Sequence, residues 1–194
     1  PLRGKPFLLE PFHKFINYNL LGFKLKGTDV VRFHEALIFI PRKNIKTSFA
    51  ASLAWALSLW YRRSGSKTYI SAAALMQSLE SFNFLDYNIR LMGEDEKHGG
   101  GVKIIDNNNE HSMEAELPDG SFFIRALAAN PDAQDSLNCN IAICDEIHAF
   151  TKPKQYNLFK EAMKAYTNKL LIGISTAGDN EQGFLGQRLQ YCRK

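Results

Sequence analysis

Two short segments carry side chains suited to chemistry on a phosphate. Ile40–Ser48 (IPRKNIKTS) follows an apolar run, and Ile141–Phe150 (IAICDEIHAF) is an apolar run broken by two adjacent carboxylates. A lysine and a hydroxyl at the start of a helix can meet phosphate oxygens and a metal ion; an Asp-Glu pair at the end of a strand can hold that ion and polarise a water. Each half is weak alone, because exposed basic turns and acidic strand ends are common. Delivered to one edge of one sheet, they make a nucleoside triphosphate site.

The usual phosphate loop, GxxxxGK[ST], depends on glycines that let backbone N–H groups curl around the anion. Aligned on Lys46-Thr47, both glycine positions here are isoleucine, Ile40 and Ile45. A β-branched residue at positive φ carries about 1–2 kcal/mol of strain. Ile45 therefore predicts either another loop shape or weakened ATP affinity, with Ile45→Gly tightening binding. Context favours a site all the same. Arg42, Lys43, Lys46 and, farther back, Arg32 crowd the start of a helix, where positive charge is unfavourable unless an anion is present. Beyond the next apolar run, Ser175-Thr176-Ala177-Gly178 offers a hydroxyl, Thr176, that could report on a γ-phosphate, although a Ser/Thr/Gly turn capping a strand reads equally well. His148 could lie near that site, although an isolated His is usually only a polar neighbour.

These segments need a frame, and the apolar pattern supplies one. Strand-length runs at Glu35–Ile40, Thr68–Ala73, Asn140–Asp145 and Leu170–Ser175 alternate with helical runs at Leu9–Leu21, Lys46–Arg62, Leu75–Met92 and Gln155–Tyr166, with a last helix from near Gln182. That alternation is the mark of βαβ units and a mainly parallel sheet flanked by helices. Phe12, Phe15 and Ile16 define the expected apolar face of the first helix. Between Asn107-Asn108-Asn109 and Pro118-Asp119-Gly120, which are turn signals, Val102–Asp106, Ser112–Leu117 and Ser121–Leu127 read as an antiparallel meander at the sheet edge. Gly93–Gly101 reads as a loop. Trp55, Trp60 and Tyr61 read as helix packing; Arg62, Arg63 and Lys67 could meet nucleic-acid phosphates or simply solvate a helix end.

Composition sets the outer bounds. With 194 residues, 45% hydrophobic and 23% charged, the chain can fill one α/β core. Its 24 basic and 20 acidic residues permit nucleic-acid contact without requiring it. Cys139, Cys144 and Cys192 have neither CxxC nor zinc spacing and read as free thiols in a reducing compartment. No apolar run is long enough to span a bilayer, so no membrane contact is expected.

Taken together, Leu9-Glu10-Pro11-Phe12-His13, Pro41-Arg42-Lys43-Asn44, Lys46-Thr47, Cys144-Asp145-Glu146-Ile147-His148 and Thr176-Ala177-Gly178 resemble the ATPase domain of the large terminase subunit of tailed bacteriophages, the motor that packages DNA into a procapsid. The resemblance is collinear over almost the whole chain. It implies a P-loop NTPase fold of the additional-strand type. It also implies ATP bound by residues 41–48, with Lys46 on the β/γ-phosphates, Arg42 toward the γ-phosphate, and Thr47 and Asp145 holding Mg²⁺. Glu146 would activate water, and Thr176, Ala177 and Gly178 would couple hydrolysis to motion. His13, standing where the family commonly has Gln, would meet the adenine. Implied partners are double-stranded DNA, a portal protein and a small terminase subunit, in a ring of copies in the host bacterial cytoplasm. A neighbouring copy could lend Arg125, Arg188 or Arg193. Residues 1–194 would be an excised motor domain without the family's nuclease domain, so no DNA cleavage is expected of them. Two other readings stay open on the residues alone: another helicase-like DNA-translocating ATPase, or a degenerate nucleotide-binding assembly module.

Overall fold

The computed structural model describes residues 7–128, 137–150, 153–178 and 182–193. Helix α1 (Pro11–Leu21) leads into strand β1 (Glu35–Phe39), helix α2 (Lys46–Trp60), strand β2 (Ser66–Ala72) and helix α3 (Leu75–Leu91). Strands β3 (Lys103–Asp106), β4 (His111–Leu117) and β5 (Gly120–Ala128) come next. Strand β6 (Ile141–Asp145), helix α4 (Lys154–Ala162), strand β7 (Leu170–Ser175) and helix α5 (Phe184–Cys192) follow. All seven strands form one sheet in the order β1-β7-β6-β2-β5-β4-β3. β1, β7, β6, β2 and β5 run parallel, and β4 and β3 close the edge antiparallel, which is the expected meander. β7 lies between β1 and β6, the insertion that defines the additional-strand type.

Alternation along the strands divides the core. Ile141 and Ile143 of β6, Ile172 and Ile174 of β7, and Ile70 of β2 face the side packed by α1, α2 and α3. Ala142, Cys144, Leu171 and Tyr69 face the other side, with Tyr156 and Phe159 of α4 and Phe184 of α5. Strands buried on both faces read as continuous apolar runs, which is why their positions were legible.

Some expectations shift. In α1 the buried residues are His13 and Leu20, while Phe12 and Phe15 are 39% and 69% exposed. The helix is rotated so that His13 stacks on Phe49 of α2, with ring centroids 4.5 Å apart. α4 ends at Ala162 rather than Tyr166, because the Lys164 and Tyr166 N–H groups turn back to Glu161 and Met163. Trp60 is 65% exposed, although Trp55 and Tyr61 pack as expected. Residues 93–101 are a clasp rather than an open loop: Asp95 is buried, pairs with His98 at 2.6 Å and bridges to Val102.

Candidate functional site

The parallel register brings the chemistry together. Phe39 of β1 lies beside Ser175 of β7, and Ile174 lies beside Asp145 of β6. The Ile40 N–H donates to the Ser175 carbonyl at 3.1 Å and extends this edge by one residue. The segments that leave these strands, 40–47, 145–150 and 175–178, therefore emerge at the carboxyl end of one parallel sheet, where α/β proteins bind ligands.

The loop into α2 turns without glycine. Lys43 (φ 66°) and Ile45 (φ 58°) both adopt the left-handed conformation. The Asn44 side-chain amide donates to the Pro41 and Arg42 carbonyls at 3.2 and 3.1 Å, bracing the turn. Of the two possibilities that the isoleucine left open, another loop shape is not taken: Ile45 holds the left-handed turn, with the strain that a β-branched residue carries there. No side chain caps α2. Its first-turn N–H groups and the positive end of its dipole face the loop, a ready anion site.

Pro41, Arg42, Lys43, Ile45, Lys46, Thr47, Ser48, Glu146 and Thr176 line a single cleft of about 260 Å³. That is just below the usual range for ligand pockets, about 300–1,000 Å³, and suits a phosphate tail. A larger groove, about 480 Å³, runs over the β3–β5 half of the sheet. Lys67 and Lys103 share it with Glu96, Glu114 and Glu116, a mixed charge that makes it the poorer anion site.

Inside the cleft the Lys46 ammonium is bound to Asp145 Oδ1 and lies 2.7 Å from Glu146 Oε1. Burial pushes the Asp145 carboxyl above its ordinary pKa, against the pull of Lys46. Burial acts in the same sense on Glu146, but Lys46 and His148 hold that carboxyl below its ordinary range. One ammonium serves both groups with opposite outcomes because the Asp145 side chain is 4% exposed and that of Glu146 is 23%. Glu146 is itself left-handed (φ 52°), and the turn Ile147–Ala149 follows it directly. A strained acid in a cleft is a common signature of function.

The family model for the terminase large subunit, ATPase domain, matches residues 11–194. The chain belongs to this family. Its fold is similar to the crystal structure of the HK97 bacteriophage large terminase at TM-score 0.79 and 23% identity, over 98% of this chain and 38% of that one. The Thermus phage P74-26 large terminase ATPase domain aligns at TM-score 0.56 and 18% identity, over 89% and 72% of the two chains. A large terminase from a thermophilic bacteriophage, in complex with ATP-γ-S, aligns at TM-score 0.54 and 8% identity, over 73% and 32%. At these identities the likeness speaks for the fold. Comparison with curated protein sequences returns no match.

In this terminase ATPase domain most of the residues expected at the site converge. Asp145 lies beneath Lys46, Asn44 braces the loop, and Gly178 packs so closely on His148 that an added Cβ would sit 2.8 Å from its Cβ. His13 does not line the cleft. It is fully buried, its Nδ1 accepts the Glu10 N–H at 3.2 Å, and burial holds its pKa below 6.5. Of the three arginines considered, Arg188 is committed to Glu35 in an ion pair at the far end of β1. Arg62, beyond the end of α2, is held by Asp119 through two bonds of 2.8 and 2.7 Å. Sequence reasoning gave Ser175 no role of its own and undervalued His148. The spacing of Glu146 and His148, two residues apart across a buried Ile147, was the available signal.

Among the described residues no group of three or more His, Cys, Asp or Glu side chains could hold a metal. A hydroxyl and one carboxylate, Thr47 and Asp145, are nonetheless suitable hard oxygen donors for Mg²⁺, which usually keeps phosphate and water oxygens as its other ligands. The Lys46 ammonium on Asp145 is a stand-in cation at that position. Among the described residues no helix is long and apolar enough to cross a membrane.

Proposed function

We propose that this domain is the ATP-hydrolysing motor of a phage DNA-packaging terminase, coupling MgATP hydrolysis to movement of double-stranded DNA into a procapsid. The observation that carries the reading is the convergence of Lys46, the bare N-terminus of α2 and the Asp145-Glu146 pair on one cleft. Supporting it, the large terminase of the thermophilic bacteriophage, of similar fold, has been solved with ATP-γ-S and with ADP. By the same reading the domain works in a ring of copies with a portal protein and a small subunit in the host cytoplasm. Arg125 or Arg193 would then be the arginine lent to a neighbour.

When the triphosphate enters, Lys46 exchanges its carboxylates for the β/γ-phosphate oxygens, and the α2 N–H groups donate to the same anion. Arg42, exposed on the loop, adds positive charge toward the γ-phosphate. Thr47 and Asp145 would hold Mg²⁺, which when bound neutralises charge on the phosphates. Glu146, freed of Lys46, takes a proton from water as the water oxygen bonds to the γ-phosphorus. The bond from that phosphorus to the bridging oxygen breaks, leaving ADP and phosphate. His13 serves this site from behind, backing Phe49 in the first turn of α2.

The degenerate-module reading draws on one observation, the occupation of Lys46 by both acids. Calorimetric titration of MgATP and a slowly hydrolysed analogue into the chain, beside Lys46→Ala, tests the proposal. Binding lost in the variant is expected; equal binding by both proteins, or none by either, overturns it, and binding without turnover in the assembled motor leaves the module.

A further inference from the structure

Glu146 has a second partner that the proposed mechanism does not use. His148 Nδ1 lies 3.0 Å from Glu146 Oε2 and 2.9 Å from Ser175 Oγ. The His148 backbone N–H also donates to Ser175 Oγ, at 3.2 Å. Ser175 is fully buried at the end of β7. The Thr176 hydroxyl, next in sequence, reaches Glu146 Oε2 at 3.5 Å. A carboxylate has no proton to offer, so the contact between Nδ1 and Oε2 is attractive only with the proton on Nδ1. The Ser175 oxygen favours that arrangement as a second acceptor.

The two oxygens of Glu146 are therefore held differently. Oε1 faces Lys46, which leaves it when phosphate arrives; Oε2 stays on His148. From this we propose that His148 is a positioning residue, fixing the rotation of the Glu146 carboxylate so that Oε1 is presented to the attacking water, and tying that carboxylate to the β7 exit through Ser175. The proposal rests on the nucleotide reading above. It gives Thr176-Ala177-Gly178 a physical route to the acid. Gly178 packs on His148, so a shift of Glu146 moves the imidazole against that segment.

The test compares binding of MgADP with binding of MgADP plus tetrafluoroaluminate, which mimics the phosphoryl group in transit, and needs no turnover. The unmodified chain should bind the ternary analogue at least about 100-fold tighter than MgADP alone, as transition-state analogues do. His148→Ala should keep MgADP affinity within about twofold, which also reports an intact fold, and lose at least about tenfold of the enhancement. His148→Asn, whose amide N–H replaces Nδ1–H, should recover most of it. An undiminished enhancement in His148→Ala, or an Asn variant no better than the Ala variant, overturns the positioning role alone. Failure of the unmodified chain to bind MgADP overturns the nucleotide reading and this one with it.

Discussion

At the scale of single residues, the phosphate loop is built with a strained residue where sequence logic asks for glycine. Ile45 holds φ 58° and ψ 28° and is 46% exposed, so little packing compensates the strain. Left-handed backbone costs a β-branched residue about 1–2 kcal/mol, and glycine returns about 0.5–1 kcal/mol of that through the unfolded chain. The turn is braced by the Asn44 hydrogen bonds within the loop itself, so the strain is expected to weigh on folding rather than on affinity, in place of the tightening expected from sequence. Ile45→Gly is expected to stabilise the domain by about 0.5–1 kcal/mol in urea unfolding and to leave the MgATP dissociation constant within about twofold. A large gain in affinity with no gain in stability would show that nucleotide, not folding, forces the turn. Lys46, Thr47, Asp145 and Glu146 could be picked from sequence as candidates for one site because lysine-hydroxyl and paired acids are distinctive types in a distinctive place. The pairing of His148 with Ser175 could not, since their meeting depends on how β6 and β7 align.

At the scale of elements, the strands were readable nearly to the residue, because runs such as Ile141–Cys144 and Leu170–Ile174 are apolar on both faces and have one place to go. Helix rotation was less so. The face of α1 carrying Phe12 and Phe15 is the more apolar, yet the helix buries His13, whose ring fits against Phe49. The sheet order could not be read locally, since nothing local says that β7 inserts between β1 and β6; only the resemblance to an additional-strand fold implied it. That insertion has an energetic signature at Gly173. A Cβ there would approach Ile147 Cδ1 at 2.9 Å and Leu37 Cδ1 at 3.0 Å. Gly173→Ala should therefore overpack the space between β7 and the turn after Glu146, at a cost of about 1–3 kcal/mol. Because Ile147 adjoins Glu146, the same variant should lose affinity for the tetrafluoroaluminate complex more than for MgADP. Equal losses for the two would mean that the strain relaxes through Leu37 instead, away from the site.

For the molecule as a whole, the parallel sheet separates binding from anchorage. The proposed nucleotide chemistry gathers at the carboxyl ends of β1, β6 and β7, while Glu35, at the opposite end of β1, clasps the two helices of the other face. Its carboxylate accepts the Tyr156 hydroxyl at 2.9 Å, pairs with Lys160 at 2.7 Å and binds Arg188. Arg188 also lies over the Tyr156 ring, 5.3 Å from its centroid, so α4 and α5 share the anchor. Burial disfavours the Glu35 charge, yet Lys160, Tyr156 and Arg188 hold its pKa below the ordinary 4.5. The direction of that shift fixes the pH response. A depressed carboxylate stabilises the fold fully above its unfolded pKa, and the contribution disappears as pH falls through the folded value. Glu35→Gln keeps the shape and removes the charge. It should cost about 1.5–3 kcal/mol at neutral pH, the range for hydrogen bonds to a charged group. In a chain of this size that lowers Tm by about 2–4 °C per kcal/mol. The gap between the variant and the unmodified protein should narrow once the pH drops below about 4.5, while the MgATP dissociation constant at neutral pH stays within about twofold. A gap that persists on acidification would assign the clasp to packing of Tyr156 and Arg188 rather than to charge. A loss of nucleotide affinity equal to the loss of stability would mean that the two ends of β1 are coupled and that the sheet transmits strain along its length.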